Sequence, residues 1–196
     1  MIKRAFKILG IVLVGLVALI GIVSAFLSPK SHLERSTIVN ASASVVFAQI
    51  NNFRNSNKWM PWGAKDPNIK YAFEGPEAGI GAKVNWESKE VGNGSQWIIE
   101  SVQDKHLKTG FRFADFDGAY SSEINLEPVE GGTKVTWTYD GDVSDAGMAS
   151  SVMGKFMGLF MNKALGKDYE KGLSNLKAQA ESQPQQPAPE DTSGKK

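Results

Sequence analysis

The chain of 196 residues contains no cysteine. That absence excludes disulfide scaffolds, thiolate metal sites, cysteine nucleophiles and lipid attachment at an N-terminal cysteine. It leaves the redox compartment open, because a thiol-free protein suits any of them. Histidine is scarce too: His32 and His106 are the only two. Neither sits in an HExxH or His-x-His arrangement, so neither a metal site nor any other cofactor is expected. Acidic side chains are missing from the first 33 positions, Glu34 being the first. The same stretch carries Lys3, Arg4, Lys7 and Lys30 and is otherwise mostly hydrocarbon. The formal charge of +1 therefore joins a basic, apolar beginning to a mildly acidic remainder with 18 basic and 21 acidic residues. Such a balance argues against a nucleic-acid partner, which calls for a basic patch and usually a high pI.

Residues 8–27 (ILGIVLVGLVALIGIVSAFL) hold no charge, and Ser24 is their one polar side chain. A helix of this length rises roughly 30 Å, the thickness of a bilayer's hydrocarbon core. Residues 1–7 place three positive charges before it, so the positive-inside rule puts that end in the cytoplasm and the rest on the periplasmic or extracytoplasmic side. A cleavable signal peptide is the competing reading, since Val23-Ser24-Ala25 resembles a small-residue cleavage site. Signal-peptide apolar cores typically run about 7–15 residues, shorter than this one. The segment is read as an uncleaved single-pass anchor. Gly10, Gly15 and Gly21 form no GxxxG pair, so nothing specific supports helix dimerisation, and the oligomeric state stays open.

After a linker at 28–31 the periodicity shortens. Residues 32–39 (HLERSTIV) predict a first strand, and Ser42 the N-cap of a short helix with Val46, Phe47, Ile50 and Phe53 on one face. Residues 54–62 predict a second short helix or turn, ended by Pro61. Six strand-like segments follow with alternating apolar positions, punctuated by Asn93-Gly94 and Gly131-Gly132. From about 150 to 180 the period becomes 3.6, with Val152, Phe156, Leu159, Phe160, Tyr169, Leu173 and Leu176 striping one long helix. The tail at 181–196, rich in Pro and Gln, is expected to be disordered. A sheet with one apolar face needs a cover, and the long helix is the one element able to provide it.

This order resembles the helix-grip fold, and the chain resembles the START/polyketide-cyclase-like superfamily, SRPBCC, over about 32–180. The stretches that carry the likeness are VNASASVVFAQINNFRNSNKWMPW, GPEAGIGAKVNWES, GGTKVTWTYDGD and MGLFMNKALGKDYEKGLSNLK. They are similar to its single-pass, membrane-anchored polyketide cyclase/dehydrase-type branch. The resemblance implies an α+β architecture, with a curved antiparallel seven-stranded sheet wrapped around the long C-terminal helix. It also implies a cavity between helix and sheet for an apolar molecule; only some members are enzymes.

For that cavity the aromatic residues are the strongest signal. Trp59, Trp62, Trp86, Phe111, Phe113, Tyr120, Trp137, Phe156 and Phe160 are the candidate lining, with an opening near 59–62. Met148, Met153, Met157 and Met161 along the helix suit an adaptable apolar surface. The same side chains also suit a filled core. No catalytic residue is assigned. Glu100 is the one strand carboxylate whose register is ambiguous, Ile98 and Ile99 both preceding it; facing inward, it would be a usable base. Asp140 and Glu123 fall on the outer face by parity, and Arg112 reads as an outer cation.

Other patterns carry no chemistry. Lys108-Thr109-Gly110 and Ser174-Asn175-Leu176-Lys177 match two β-lactamase motifs in reversed order, without the third. The glycine pairs at 79–81 and 92–94 are turns, not phosphate loops. The leading expectation is a membrane-tethered module that binds a hydrophobic small molecule or lipid. The alternatives are a cyclase/dehydratase using Glu100 or Tyr120, and a protein-interaction domain with a filled core.

Overall fold

An apolar helix, α1 (Ile2–Phe26), opens the computed structural model, which describes residues 2–183. Of the tail at 181–196 expected to be disordered, Glu181 belongs to the long C-terminal helix and 184–196 lie outside the described residues. Helix α1 is long and apolar enough to cross a membrane, and Ser24 is its one buried residue among those described. A signal sequence near the N-terminus meets the same test of length and composition.

Strand β1 (Lys30–Val39) follows, then α2 (Ala43–Ile50), α3 (Phe53–Trp59) and a single extra turn, α4 (Trp62–Lys65). Ser42 has extended backbone angles before α2, but its hydroxyl bonds to Ser44 Oγ at 2.9 Å rather than capping. Asn52 does cap α3, its side chain accepting from Arg54 N at 2.8 Å. Phe53, expected on the first short helix, instead starts the second, because this cap interrupts the chain at 51–52.

Six strands come next: β2 (Lys70–Glu74), β3 (Lys83–Glu87), β4 (Gly94–Val102), β5 (His106–Phe113), β6 (Phe116–Val129) and β7 (Gly132–Asp142). They join β1 in one antiparallel sheet of order β1-β7-β6-β5-β4-β3-β2. The 34-residue α5 (Met148–Glu181) completes the α+β helix-grip architecture.

Period-2 alternation puts one apolar set on the inner face: Leu33, Val135, Trp137, Tyr139, Ile124, Leu126, Leu107, Ile98 and Val84 are all buried. The outer face is laced with ion pairs, including Lys108–Glu123 at 2.8 Å and Lys83–Glu74 at 3.0 Å. The Asn93-Gly94 pair does not form a two-residue hairpin. It ends a longer loop in which Asn93 Oδ1 accepts from Ser88 N at 3.0 Å. Gly94 has ordinary angles; its role is room, since a Cβ there would strike the Trp86 ring and the Arg112 carbonyl.

Helix α5 runs along β1 in the same direction. Arg35, on the inner face opposite Trp137, pairs with Glu170 at 2.9 Å, and Glu181 accepts from Asn40 N at 2.7 Å. The helix does two different things along its length. Its second half buries Gly166, Tyr169, Gly172, Leu173, Leu176 and Ala180, whereas residues 148–165 bury none fully. Gly172 allows the tight half, because a Cβ there would meet Trp137 at 2.7 Å.

A candidate apolar cavity at the open end of the sheet

Where α5 stands off the sheet, a cavity of about 250 Å³ remains. Its floor is the end of the inner face, with Phe113, Tyr120, Tyr139 and Val143, and its roof is α5, with Ser150, Gly154, Met157 and Met161. Strand register explains the position. The pairs Lys30↔Asp142, Ala119↔Asp142, Phe113↔Phe116 and Gly94↔Phe113 bring the ends of five strands, β1, β7, β6, β5 and β4, to one edge. Pro29, the loop at 91–93 and the β5–β6 turn at 115–116 form the rim there. Such a volume sits just below the usual ~300–1,000 Å³ of small-molecule sites, and its apolar lining with few polar groups matches them.

The floor is aromatic and mutually supported. Phe111 stacks on Tyr120 at 5.7 Å between ring centroids, and Tyr120 on Tyr139 at 6.4 Å. Trp86 and Phe111 each meet Phe113 edge-on, at 6.1 and 5.6 Å. Edge-on and offset pairs of this kind add roughly 0.5–1.5 kcal/mol each beyond area burial. Burial raises the pKa values of Tyr120 and Tyr139 above the ordinary phenol value. Both hydroxyls therefore stay protonated at neutral pH. Tyr120 donates to the Asp117 carbonyl at 3.3 Å, and the Tyr139 hydroxyl is hydrogen-bonded to the Ser31 side chain.

The nine aromatic positions singled out in the sequence fall into three groups. Phe113 and Tyr120 line the cavity, with Trp86 and Phe111 packed behind them. Trp59 and Trp137 lie instead in the solid core, edge-on to each other at 5.3 Å. Trp62 sits outside it on α4, with Lys65 Nζ 5.4 Å from its ring. On α5, Phe156 is half-buried and outside the lining, and Phe160 is 62% exposed. The segment 59–62 is also remote from the rim. Asn175 donates to the Trp59 carbonyl at 2.9 Å, and residue 175 lies roughly 20 Å further along the helix axis than Met161.

Residues that the sequence reading did not single out for the cavity supply much of it: Pro29, Val91, Asp115, Phe116, Val143 and Gly154. Most lie in loops or at strand ends, where periodicity carries no signal. Gly154 lies on α5 but has no side chain to mark it. A Cβ there would meet Val143 at 2.7 Å, so the glycine lets the helix cross β7's end closely.

Between cavity and core runs a polar seam. Gln96 Nε2 donates to Thr109 Oγ1 at 2.9 Å, Thr109 Oγ1 to the Ser122 carbonyl at 3.3 Å, and Trp137 Nε1 to Ser122 Oγ at 2.7 Å. Ser122 Oγ in turn donates to the Thr138 carbonyl at 2.7 Å. These groups satisfy one another, so the seam is structural rather than a set of free catalytic groups. Glu100 lies outside it. A β-bulge between Ile98 and Glu100 turns both Ile99 and Glu100 outward, and Glu100 faces His106 Nε2 at 3.8 Å. The bulge resolves the register in favour of solvent and removes that carboxylate from the interior. Asp140 and Glu123 point outward as parity predicts, bonded to His32 and Lys108.

A family profile described as "polyketide cyclase / dehydrase and lipid transport" matches residues 30–181. No curated protein matches the sequence. Among solved structures, an uncharacterised protein from Rhizobium leguminosarum is 16% identical with a TM-score of 0.56, covering 79% of this chain and 96% of its own. A Chromobacterium violaceum protein is 16% identical with a TM-score of 0.54, covering 78% and 99%. The di-domain ARO/CYC protein StfQ of the steffimycin biosynthetic pathway is 10% identical with a TM-score of 0.56, covering 78% of this chain and 51% of its own. At these identities the likeness is one of fold.

Proposed function

Because the chain belongs to the polyketide cyclase / dehydrase and lipid transport family, we propose that it is a single-pass, membrane-anchored binding module for a hydrophobic small molecule or lipid. The observation that carries this reading is the apolar cavity of about 250 Å³ between the sheet's open end and the unpacked half of α5. The ligand's apolar body lies over Phe113, Tyr120 and Met157. A polar end, if the ligand has one, meets the hydroxyls of Tyr139 and Ser31.

Helix α1 is the anchor, with residues 1–7 in the cytoplasm and the domain at 32–180 on the extracytoplasmic side. Three leading positive charges and 20 uncharged residues at 8–27 support this topology. An enzymatic role is the weaker reading. The cavity's hydroxyls are held protonated, which suits donation to a ligand oxygen rather than proton abstraction. Asp115, its one lining carboxylate, lies exposed at the rim.

The test uses the full chain in lipid nanodiscs. Native mass spectrometry should reveal a co-purified apolar molecule, and a fluorescent acyl probe should bind saturably. Met161→Trp, which fills the cavity, should abolish uptake without lowering the melting temperature. An empty chain that takes up no probe would contradict the reading. A purified chain beginning after Ala25 would replace the anchor by a cleaved signal.

A further inference from the structure

Helix α5 changes character at residue 167 in three respects at once. Residues 148–167 contain Lys155, Lys163 and Lys167 and no acidic residue; from there on Asp168, Glu170 and Glu181 appear. The same first half leaves five large apolar side chains uncovered, Met148 (86% exposed), Met153, Met157, Leu159 and Phe160, while Val152, Phe156, Met161 and Leu165 are half-buried. Met153, Met157 and Phe160 follow i, i+4, i+7 and form one stripe. The third respect is a contact. Lys155 Nζ donates to the Ser24 carbonyl at 3.2 Å, and Ser24 is buried. An ammonium at the last carbonyls of α1 is also where the helix dipole favours a cation.

That contact fixes a depth. Ser24 is three residues from the end of the uncharged run, so it lies about 4.5 Å inside the hydrocarbon boundary. A side chain bonded to it reaches the headgroup layer. Exposed Met, Leu and Phe beside Lys, without acidic residues, are the composition of a helix that lies in that layer, and Lys favours anionic lipid.

We propose that residues 148–167 of α5 rest in the headgroup layer of the bilayer holding α1, with anionic phospholipid as their partner. Met157 belongs both to this stripe and to the cavity lining. The mouth of the cavity therefore opens into the membrane surface, and an apolar ligand passes between bilayer and cavity without crossing water. The inference rests on the anchor reading of α1, and its test separates the two.

The cysteine-free chain allows clean single-site labelling. Full-length Met153→Cys, Phe160→Cys, Val14→Cys and Ile80→Cys variants carry an NBD fluorophore in nanodiscs of phosphatidylcholine and phosphatidylglycerol, with doxyl-labelled lipid as quencher. Lipid quenching and a blue shift are expected at 14, 153 and 160, and neither at 80, an exposed apolar control. Quenching at 14 with water-like emission at 153 and 160 overturns the inference and leaves the anchor standing. No quenching at 14 removes the anchor and this inference with it. A blue shift at 153 and 160 without quenching means protein cover, by a second copy or another chain, and also overturns it. Pure phosphatidylcholine, or Lys163→Glu with Lys167→Glu, should cost site 160 its quenching and leave site 14 unchanged. Equal quenching under all of these conditions overturns anionic lipid as the partner.

Discussion

The indole of Trp137 lies 3.8 Å from the ring of Tyr169, nearly parallel at 20°. This stack marks the point where α5 stops being core and begins to roof a cavity. Below it, toward the C-terminus, the helix is sealed by Leu173 and Leu176. Above it, residues 148–165 bury no side chain fully. Tyr169 is also buried strongly enough to push its pKa well above the ordinary phenol value, against a smaller lowering by its side-chain hydrogen bond with Ser122. The stack and the polar seam therefore meet at one serine.

Ser122→Ala should destabilise the protein by about 1–3 kcal/mol, because it strands the Trp137 N–H and the Tyr169 hydroxyl in a buried place. Tyr169→Ala should cost more, about 3–5 kcal/mol, by opening a void beside Trp137. Chemical denaturation of the full chain in detergent measures both. A Ser122→Ala variant as stable as the parent would show that the seam does not hold the helix.

The cavity's hydroxyls should affect polar-headed ligands only. Tyr139→Phe removes one donor and should weaken binding of a fatty-acid probe by about 0.5–1.5 kcal/mol, a factor of roughly 2–10. Binding of a hydrocarbon probe of the same length should stay as it is. Equal loss for both probes would mean that the substitution disturbs packing.

Glu100→Gln should change neither stability nor ligand uptake, since exposed substitutions usually stay within about ±0.5 kcal/mol. Any turnover assigned to the protein should survive it as well. Loss of turnover would restore a catalytic role to a carboxylate that the β-bulge turns to solvent.

Asp66 predicts an acid-sensitive rim. Its carboxylate accepts from Ser88 Oγ at 2.6 Å and Asn68 N at 2.9 Å, and these bonds hold its pKa below the ordinary value. With a folded pKa below the unfolded one, about 3.9, its stabilisation is complete above the unfolded value. It fades as pH falls through that value and is gone below the folded one. The loop that Ser88 begins continues into the rim at 91–93. Hydrogen exchange there should accelerate below about pH 4, and Asp66→Asn should flatten the dependence. An unchanged acid profile in that variant would remove Asp66 as the cause.

Much of the fold was legible because it is written in local periodicity. Val135, Trp137 and Tyr139 alternate in sequence and share the inner face in space. Leu173 and Leu176 keep helical spacing and reach the core. The site was legible only in part. Trp59 and Trp137 had the same credentials as Phe113 and Tyr120, large aromatic rings on elements with an apolar face. Nothing local says that α5 presses onto one pair and stands away from the other. Glu100 was undecidable for a similar reason, because a bulge is a property of two paired strands.

The sequence by itself determined that a basic, uncharged-cored helix precedes an antiparallel sheet with one apolar face and a long helix to cover it. Composition and spacing suffice for that, since each element must bury its own apolar side. Only the tertiary structure decided where cover fails. Gly172 admits Trp137 against α5 and Gly154 admits Val143, and between those contacts and the strand ends a volume is left that no single element specifies. The emptiness belongs to the way the elements meet, and so does its place beside the end of α1.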